Sequence, residues 1–391
     1  MAPFAKLSAA GFAATAITYG PARMGFGLFL SGFKADFPMS PEVVGLISSM
    51  GFAGMLAGLV AAYAAMVLVG PALPVLLGLG AALLGTGLVA AAPSLPALAG
   101  GVVLAMTSAG FAWSPFNAIV TRQVALGWRA RALSIVSTGT SLGIAAAGLT
   151  AMAVTLGGMT WRIAWAGFAV ASALALLGNL LALRDLPRWM GRSAYQPWAQ
   201  LLAKAALPLY GIALSFGVTT SIYISFAADR IEAAGGLAAV PGGISSAVVF
   251  LSFGLCGLVG LATGRLAQGA GLPALLRALL LGSALSFGLV AFAPGSWPGV
   301  VGSAGLQGAF VMMMSAILSF WSERLFPEMP ARSFTAALVA MALGSVLGPG
   351  LAGVVAGALG PEAMFVAAGA VSLVTLAPLI PRVTAAMPEP A

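Results

Sequence analysis

Residues 12–30, from Phe12 to Leu30, read FAATAITYGPARMGFGLFL, and Arg23 is the one charge among them. A run of about 20 apolar residues is the length of a helix that crosses a hydrocarbon layer. An arginine near the middle of such a helix costs about 2.5–3.5 kcal/mol by insertion scales. Its pKa lies too high for the guanidinium to escape by losing a proton. It therefore needs a water-filled cavity, a carboxylate partner or an anionic ligand. The residues before it, MAPFAKLSAAGF, carry one lysine and lead into the apolar run without a convincing cleavage site. They read as the start of a retained first helix.

The other 372 residues set the same terms. Of 391 residues, 61% are hydrophobic and 7% charged, and the mean hydropathy is +1.06. A soluble domain carries roughly 25% charged residues, so this chain cannot cover a water-facing surface of its size. It reads as an integral membrane protein. Runs of about 20 residues without inside/outside alternation are helical and exclude a barrel. The 52 glycines fit close helix approach in lipid. The net charge of +8 lies in short loops and reads as topology, so no nucleic-acid partner is expected. One cysteine, Cys256, and no histidine leave neither an internal disulfide nor a multi-cysteine metal site.

Hydropathy windows mark twelve segments. Six centre near Arg23, Met55, Leu83, Met106, Gly143 and Ala171, and six near Thr219, Leu251, Leu281, Met312, Gly344 and Val371. Between the sets runs Arg184 to Lys204, RDLPRWMGRSAYQPWAQLLAK, the longest polar stretch. The division is a six-helix half over 1–184, a linker over 185–204 and a second half over 205–391. With both termini and the linker on one side, thirteen loop lysines and arginines lie there, against Lys34, Arg162 and Arg230 opposite. The positive-inside rule then puts both termini in the cytoplasm, in a cell's inner membrane.

The halves echo one another. Gly139, Gly143 and Gly148 are spaced like Gly344, Gly348 and Gly353, 205 positions on. Gly110 followed by Asn117-Ala118-Ile119 matches Gly308 followed by Ser315-Ala316-Ile317 at 198, and Tyr19-Gly20 matches Phe216-Gly217 at 197. Such offsets favour a duplicated six-helix unit.

On these features the chain resembles the major facilitator superfamily: two six-helix halves, a basic linker and a glycine-rich eleventh segment, GSVLGPGLAG. Its first segment, YGPARMGFGLFL, is similar to that of the bacterial YbfB/YjiJ-type subgroup. The superfamily's charged loop signature after helix two is eroded in GLVAAYAAMVLVG from Gly58, and only Arg265 survives in the equivalent Gly260–Arg265 stretch. The resemblance implies an all-α fold of twelve transmembrane helices and a secondary transporter working by alternating access as a monomer in the bilayer. It implies a central cavity lined by segments one, four, seven and ten, which carry Tyr19, Arg23, Trp113, Asn117, Thr219, Thr220, Tyr223, Gln307 and Ser315.

Tyr19 and Arg23, like Thr219 and Tyr223, are four apart and share a helix face. At the 197 offset Thr220 stands where Arg23 does, setting hydroxyls opposite a cation. A guanidinium fork suits a carboxylate or sulfonate, so a small organic anion is the expected substrate. Export of drugs or lipophilic amphiphiles is the alternative, followed by a receptor or structural role. A structural reading also exists for Arg23, capping carbonyls freed around Gly20-Pro21.

The acids limit everything else. Asp36, Glu42, Asp229, Glu232 and Glu362 fall at outer segment ends, and Asp185, Glu323, Glu328 and Glu389 on the other side. With none mid-membrane, protons travel with the substrate's own carboxyl, or coupling is by exchange, or there is none. Asp36 and Asp229 are weak candidates for coupling or gating beside Lys34 and Arg230. No carboxylate pair, metal cluster, GxSxG elbow or P-loop is present, so neither an enzyme nor a cofactor is expected.

Overall fold

In the computed structural model, which describes residues 2–186, 201 and 203–385, Gly20 and Pro21 divide the opening segment. Proline lacks the N–H that would continue the ladder and favours a helix's first turn. The result is α1 (Ala2–Tyr19), α2 (Pro21–Leu28) and α3 (Leu30–Asp36), joined end to end. The amide of Met24 still donates to the Gly20 carbonyl, so the path kinks without separating.

The rest of the first half is α4 (Pro41–Val69), α5 (Ala72–Ala90), α6 (Leu95–Gly110), α7 (Trp113–Gln123), α8 (Leu126–Leu156) and α9 (Trp161–Leu183). The second half has α10 (Leu207–Ala233), α11 (Ile244–Gly257), a 3₁₀ turn into α12 (Thr263–Ala270), α13 (Leu272–Phe292), α14 (Trp297–Leu325), α15 (Pro330–Leu359) and α16 (Pro361–Ala385). Among the described residues ten helical stretches are long and apolar enough to cross a membrane. The kinked α1–α3 path and α16 bring the passes to twelve, and every expected segment centre falls in a helix. The linker expected over 185–204 lies mostly outside the described residues.

Two stretches differ from expectation. Gly58 does not open a loop: α4 runs on to Val69 because AAYAAMVLV offers nothing to stop it, and Gly70 at φ 94° ends it. Gly260–Arg265 likewise lies in the helical passage into α12, and the turn comes at Gly271 with φ 79°.

Within the halves, α1 packs on α8, α5 on α6 and α9, α10 on α15, and α13 on α14 and α16. Between them, α4 packs on α15, α8 on α11, and α2 on α10. The glycine repeat explains how. A Cβ on Gly139 or Gly143 would strike Phe12 or Ala16 of α1, whereas one on Gly148 would strike Leu251 of α11. In α15 a Cβ on Gly344 or Gly348 would strike Leu214 or Val218 of α10, and one on Gly353 would strike Pro41 of α4. In each triplet two glycines seat the helix in its own half and the third meets the other half.

Lys6 donates to Asp185 at 3.3 Å, joining the start of α1 to the end of α9 at the end of the bundle where the arginines gather. Lys6 holds that carboxyl below its ordinary pKa. This is the basic end of the bundle.

The close approaches are testable. Gly143→Ala forces α8 away from the Ala16 carbonyl and should destabilise by about 1–3 kcal/mol. Gly167→Ala, whose Cβ meets nothing within 4 Å, should be neutral or slightly stabilising. Melting temperatures in detergent compare the two, and equal values would contradict the packing described.

Candidate functional site

Arg23 lies in the first turn of α2, two residues beyond the Gly20-Pro21 break, and is 6% exposed. Its Nε is buried without a hydrogen-bond partner. Among the described residues it forms no ion pair; the pairs join Lys6, Lys34, Arg162 and Arg184 to Asp185, Asp229 and Asp36. What it faces is aromatic: its guanidinium carbon is 5.7 Å from the Tyr19 ring centroid and 5.7 Å from that of Phe52 on α4. Two π faces offset part of the desolvation of a cation, with about 0.5–2 kcal/mol each. Neither side chain accepts a hydrogen bond from the guanidinium fork.

Tyr19 also borders a small cavity shared by both halves, with Met55, Leu59, Trp113, Ser114 and Met341 among its lining. That cavity lies on the basic-end side of Arg23, since α1 runs from Lys6 toward Asp36. The Tyr19 ring thus stands between cavity and guanidinium. Asn117, one turn beyond Trp113 on α7, is partly exposed, and its carbonyl accepts from Thr121.

The helices of the second half bring other residues to the same height. A Cβ on Gly27 would strike the Ile224 carbonyl, so α2 and α10 touch there. They run in parallel, and one turn back on each stand Arg23 and Thr220. Between α10 and the antiparallel α14 there are two rungs: Tyr223 with Ser303 at 3.2 Å, and the rings of Phe216 and Phe310 at 5.4 Å. Gln307 lies between Ser303 and Phe310, level with Thr219 and Thr220. Thr219 donates to the carbonyls of Ser215 and Phe216. Thr220 Oγ1 and both amide atoms of Gln307 are buried without partners.

The remaining candidates separate from this level. Tyr223 is held in the second half against Phe253 and Phe287. Ser315, partly exposed and two turns toward the basic end, donates to its own helix at Val311, 2.8 Å away.

At the opposite end the halves are joined. Lys34 Nζ on α3 donates to Asp229 Oδ2 on α10 at 2.6 Å. Asp36 turns to its own half, accepting from Trp161 Nε1 at 3.1 Å with Arg162 at 3.7 Å. Arg230 donates to the Ala291 carbonyl, and Glu232 accepts the amides of Gly243 and Ser246 at the start of α11. Sequence neighbours had suggested Lys34 beside Asp36 and Arg230 beside Asp229; the cross-half pair over 195 positions is what forms. Phe52 is the other residue that sequence reasoning passed over, because an apolar ring in an apolar helix carries no signal.

Solved structures share this architecture. A mutant of the nucleoside transporter NupG superposes with a TM-score of 0.75 at 13% identity, covering 97% of this chain and 99% of that one. A bacterial homolog of the human lysosomal transporter Spinster, described as inward-facing and unoccupied, gives 0.75 at 16% identity, covering 100% and 99%. NupG without the mutation gives 0.68 at 13% identity, covering 98% and 99%. No protein-family profile matches the sequence, and no curated protein does either. The fold is that of these transporters, and at such identities it is the fold alone that is shared.

The cross-half pair has a direct check. Asp229→Asn leaves Lys34 without its carboxylate, and a part-exposed pair contributes about 0.2–1 kcal/mol. Opening of that end should rise by up to about fivefold. A Ser225→Cys probe, buried one turn below Asp229, reads it out in a Cys256→Ser background. Exchanging the charges, Lys34→Asp with Asp229→Lys, should restore protection. Unchanged labelling in the single variant would show that the pair does not hold the end shut.

Proposed function

We propose that this chain is a secondary transporter that carries a small organic anion by alternating access, with Arg23 as the counter-ion of its substrate. The observation that carries this is a buried guanidinium with no carboxylate among the described residues to pair with it, on the seam between halves. An anion arriving through the cavity would supply what Tyr19 and Phe52 do not, in-plane acceptors for the fork. Thr220 and Gln307, level with Arg23, would hold the rest of the molecule. The Ala22-Arg23-Met24-Gly25 pattern, similar to the YbfB/YjiJ-type subgroup, supports a role for the arginine at this place.

Loop charge supports a place in the cell's inner membrane with the basic end cytoplasmic. The state described would then be closed outside by Lys34–Asp229 and by the α4–α15 and α8–α11 contacts, with the cavity on the inner side. Substrate release or loading inside would be followed by rocking of the halves on the third glycine of each triplet. With no acid at mid-depth among the described residues, the driving gradient is that of the substrate, alone, in exchange or with a proton on its own carboxyl.

A second reading, export of lipophilic amphiphiles, draws on the lining of Met55, Leu59, Trp113 and Met341, since methionine-rich walls are permissive. Thermal-shift measurements on purified protein with organic anions, cations and neutral drugs separate the two. A ligand at 100 times its dissociation constant stabilises by about 2.7 kcal/mol. Anions should be the group that does so. Arg23→Ala should lose that stabilisation while remaining monodisperse, and Arg23→Lys should bind roughly 10- to 100-fold more weakly than wild type. Hits confined to cations, or an Arg23→Ala protein that binds the same anion normally, would refute the anion reading.

A further inference from the structure

We infer that the substrate is an organic anion that also carries an amide-type edge, a hydrogen-bond donor beside an acceptor, and that Gln307 is the residue that reads this edge. The inference rests on the anion reading of Arg23 and adds the chemistry of the other end of the ligand.

Gln307 has no exposed surface, and both Nε2 and Oε1 lack partners. A glutamine amide carries two donors and an acceptor. Each such group left unpaired in a buried site costs about 1–3 kcal/mol, far from the one satisfied contact that polar residues ordinarily make between membrane helices. Two hydroxyls near its level are already engaged. Ser303, one turn away, bonds Tyr223 and donates to Val300, and its carbonyl accepts from Ser286. Thr219 is committed to its own helix. Thr220 Oγ1, itself unpartnered, is the one open group shown at this level on α10. A leucine of similar size there would leave no orphaned polar atoms.

A buried site of fixed donors and acceptors selects for a ligand that satisfies both. Analogues that lack the matching group are rejected far more strongly than analogues differing by a methylene, because the protein's own polar atoms stay unpaired. A primary amide facing a lactam, another primary amide or a terminal ureide, each with donor and acceptor on the same edge, can form two parallel hydrogen bonds. Arg23 belongs to the first half and Gln307 to the second. A ligand reaching both would therefore be fully held only when the halves close around it, which ties selection to the conformational cycle.

Matched pairs of carboxylates test this without knowledge of the natural substrate. 5-Oxoproline and cyclopentanecarboxylate form one pair, and N-carbamoylglycine and 4-oxopentanoate the other; each pair differs chiefly in the amide edge. Dissociation constants from thermal-shift titration of the full chain should favour the amide member by at least about tenfold. Gln307→Leu should erase the preference by weakening the amide member to the level of its partner, and should raise the melting temperature of the unliganded protein. Carboxylates that bind wild type with no amide preference overturn this inference and leave the Arg23 reading standing. A preference that survives Gln307→Leu, or a lowered melting temperature in that variant without ligand, assigns the amide to internal structure and also overturns it. If no carboxylate binds wild type, both readings fall together.

Discussion

A permanent positive charge inside an apolar bundle has to be answered locally, and among the described residues Arg23 is answered by the rings of Tyr19 and Phe52. The kink at Gly20-Pro21 sets where that charge points. Without it the first segment would be a continuous helix; with it, α2 starts afresh two residues before Arg23 and runs against α10 at Gly27. The break therefore does two things at once. It places the cation on the seam between halves, and it sets Tyr19, the last residue of α1, between that cation and the cavity.

Closing the bundle around such a site depends on backbone-to-backbone contact. Lipid offers no hydrophobic drive between helices, so association rests on packing and on small residues that let backbones meet. The triplets in α8 and α15 divide that work in the same way in both halves, two glycines inward and one across the seam. Lys34 and Asp229 then add a charge pair at the far end, where each keeps partial access to water. A pair there can break and reform at modest cost, unlike one at mid-depth.

Much of this was legible in the chain. Length and apolarity of the runs placed every segment centre in a helix, because nothing but a helix satisfies its backbone in lipid. The glycine offsets anticipated the matching roles of Gly148 and Gly353. Arg23 stood out because acids are so few that its lack of a partner could be counted. Other features were hidden for physical reasons. Lys34 and Asp229 meet only through the packing of α3 on α10, and each has a closer charged neighbour in sequence. Gly58 resembled a loop glycine, yet it serves close approach to Thr107 inside α4. Gln307 was one of nine expected lining residues, and only the structure shows both atoms of its amide buried without partners.

A crystal structure with 4-bromobenzoate tests the central claim most directly, since the bromine's anomalous signal locates the ring independently of the protein. The account predicts the carboxylate within about 3 Å of the Arg23 guanidinium nitrogens, with the Tyr19 ring moved aside to admit it. A bromine peak elsewhere, with the guanidinium still against Tyr19 and Phe52 and no ligand oxygen near it, would contradict the account.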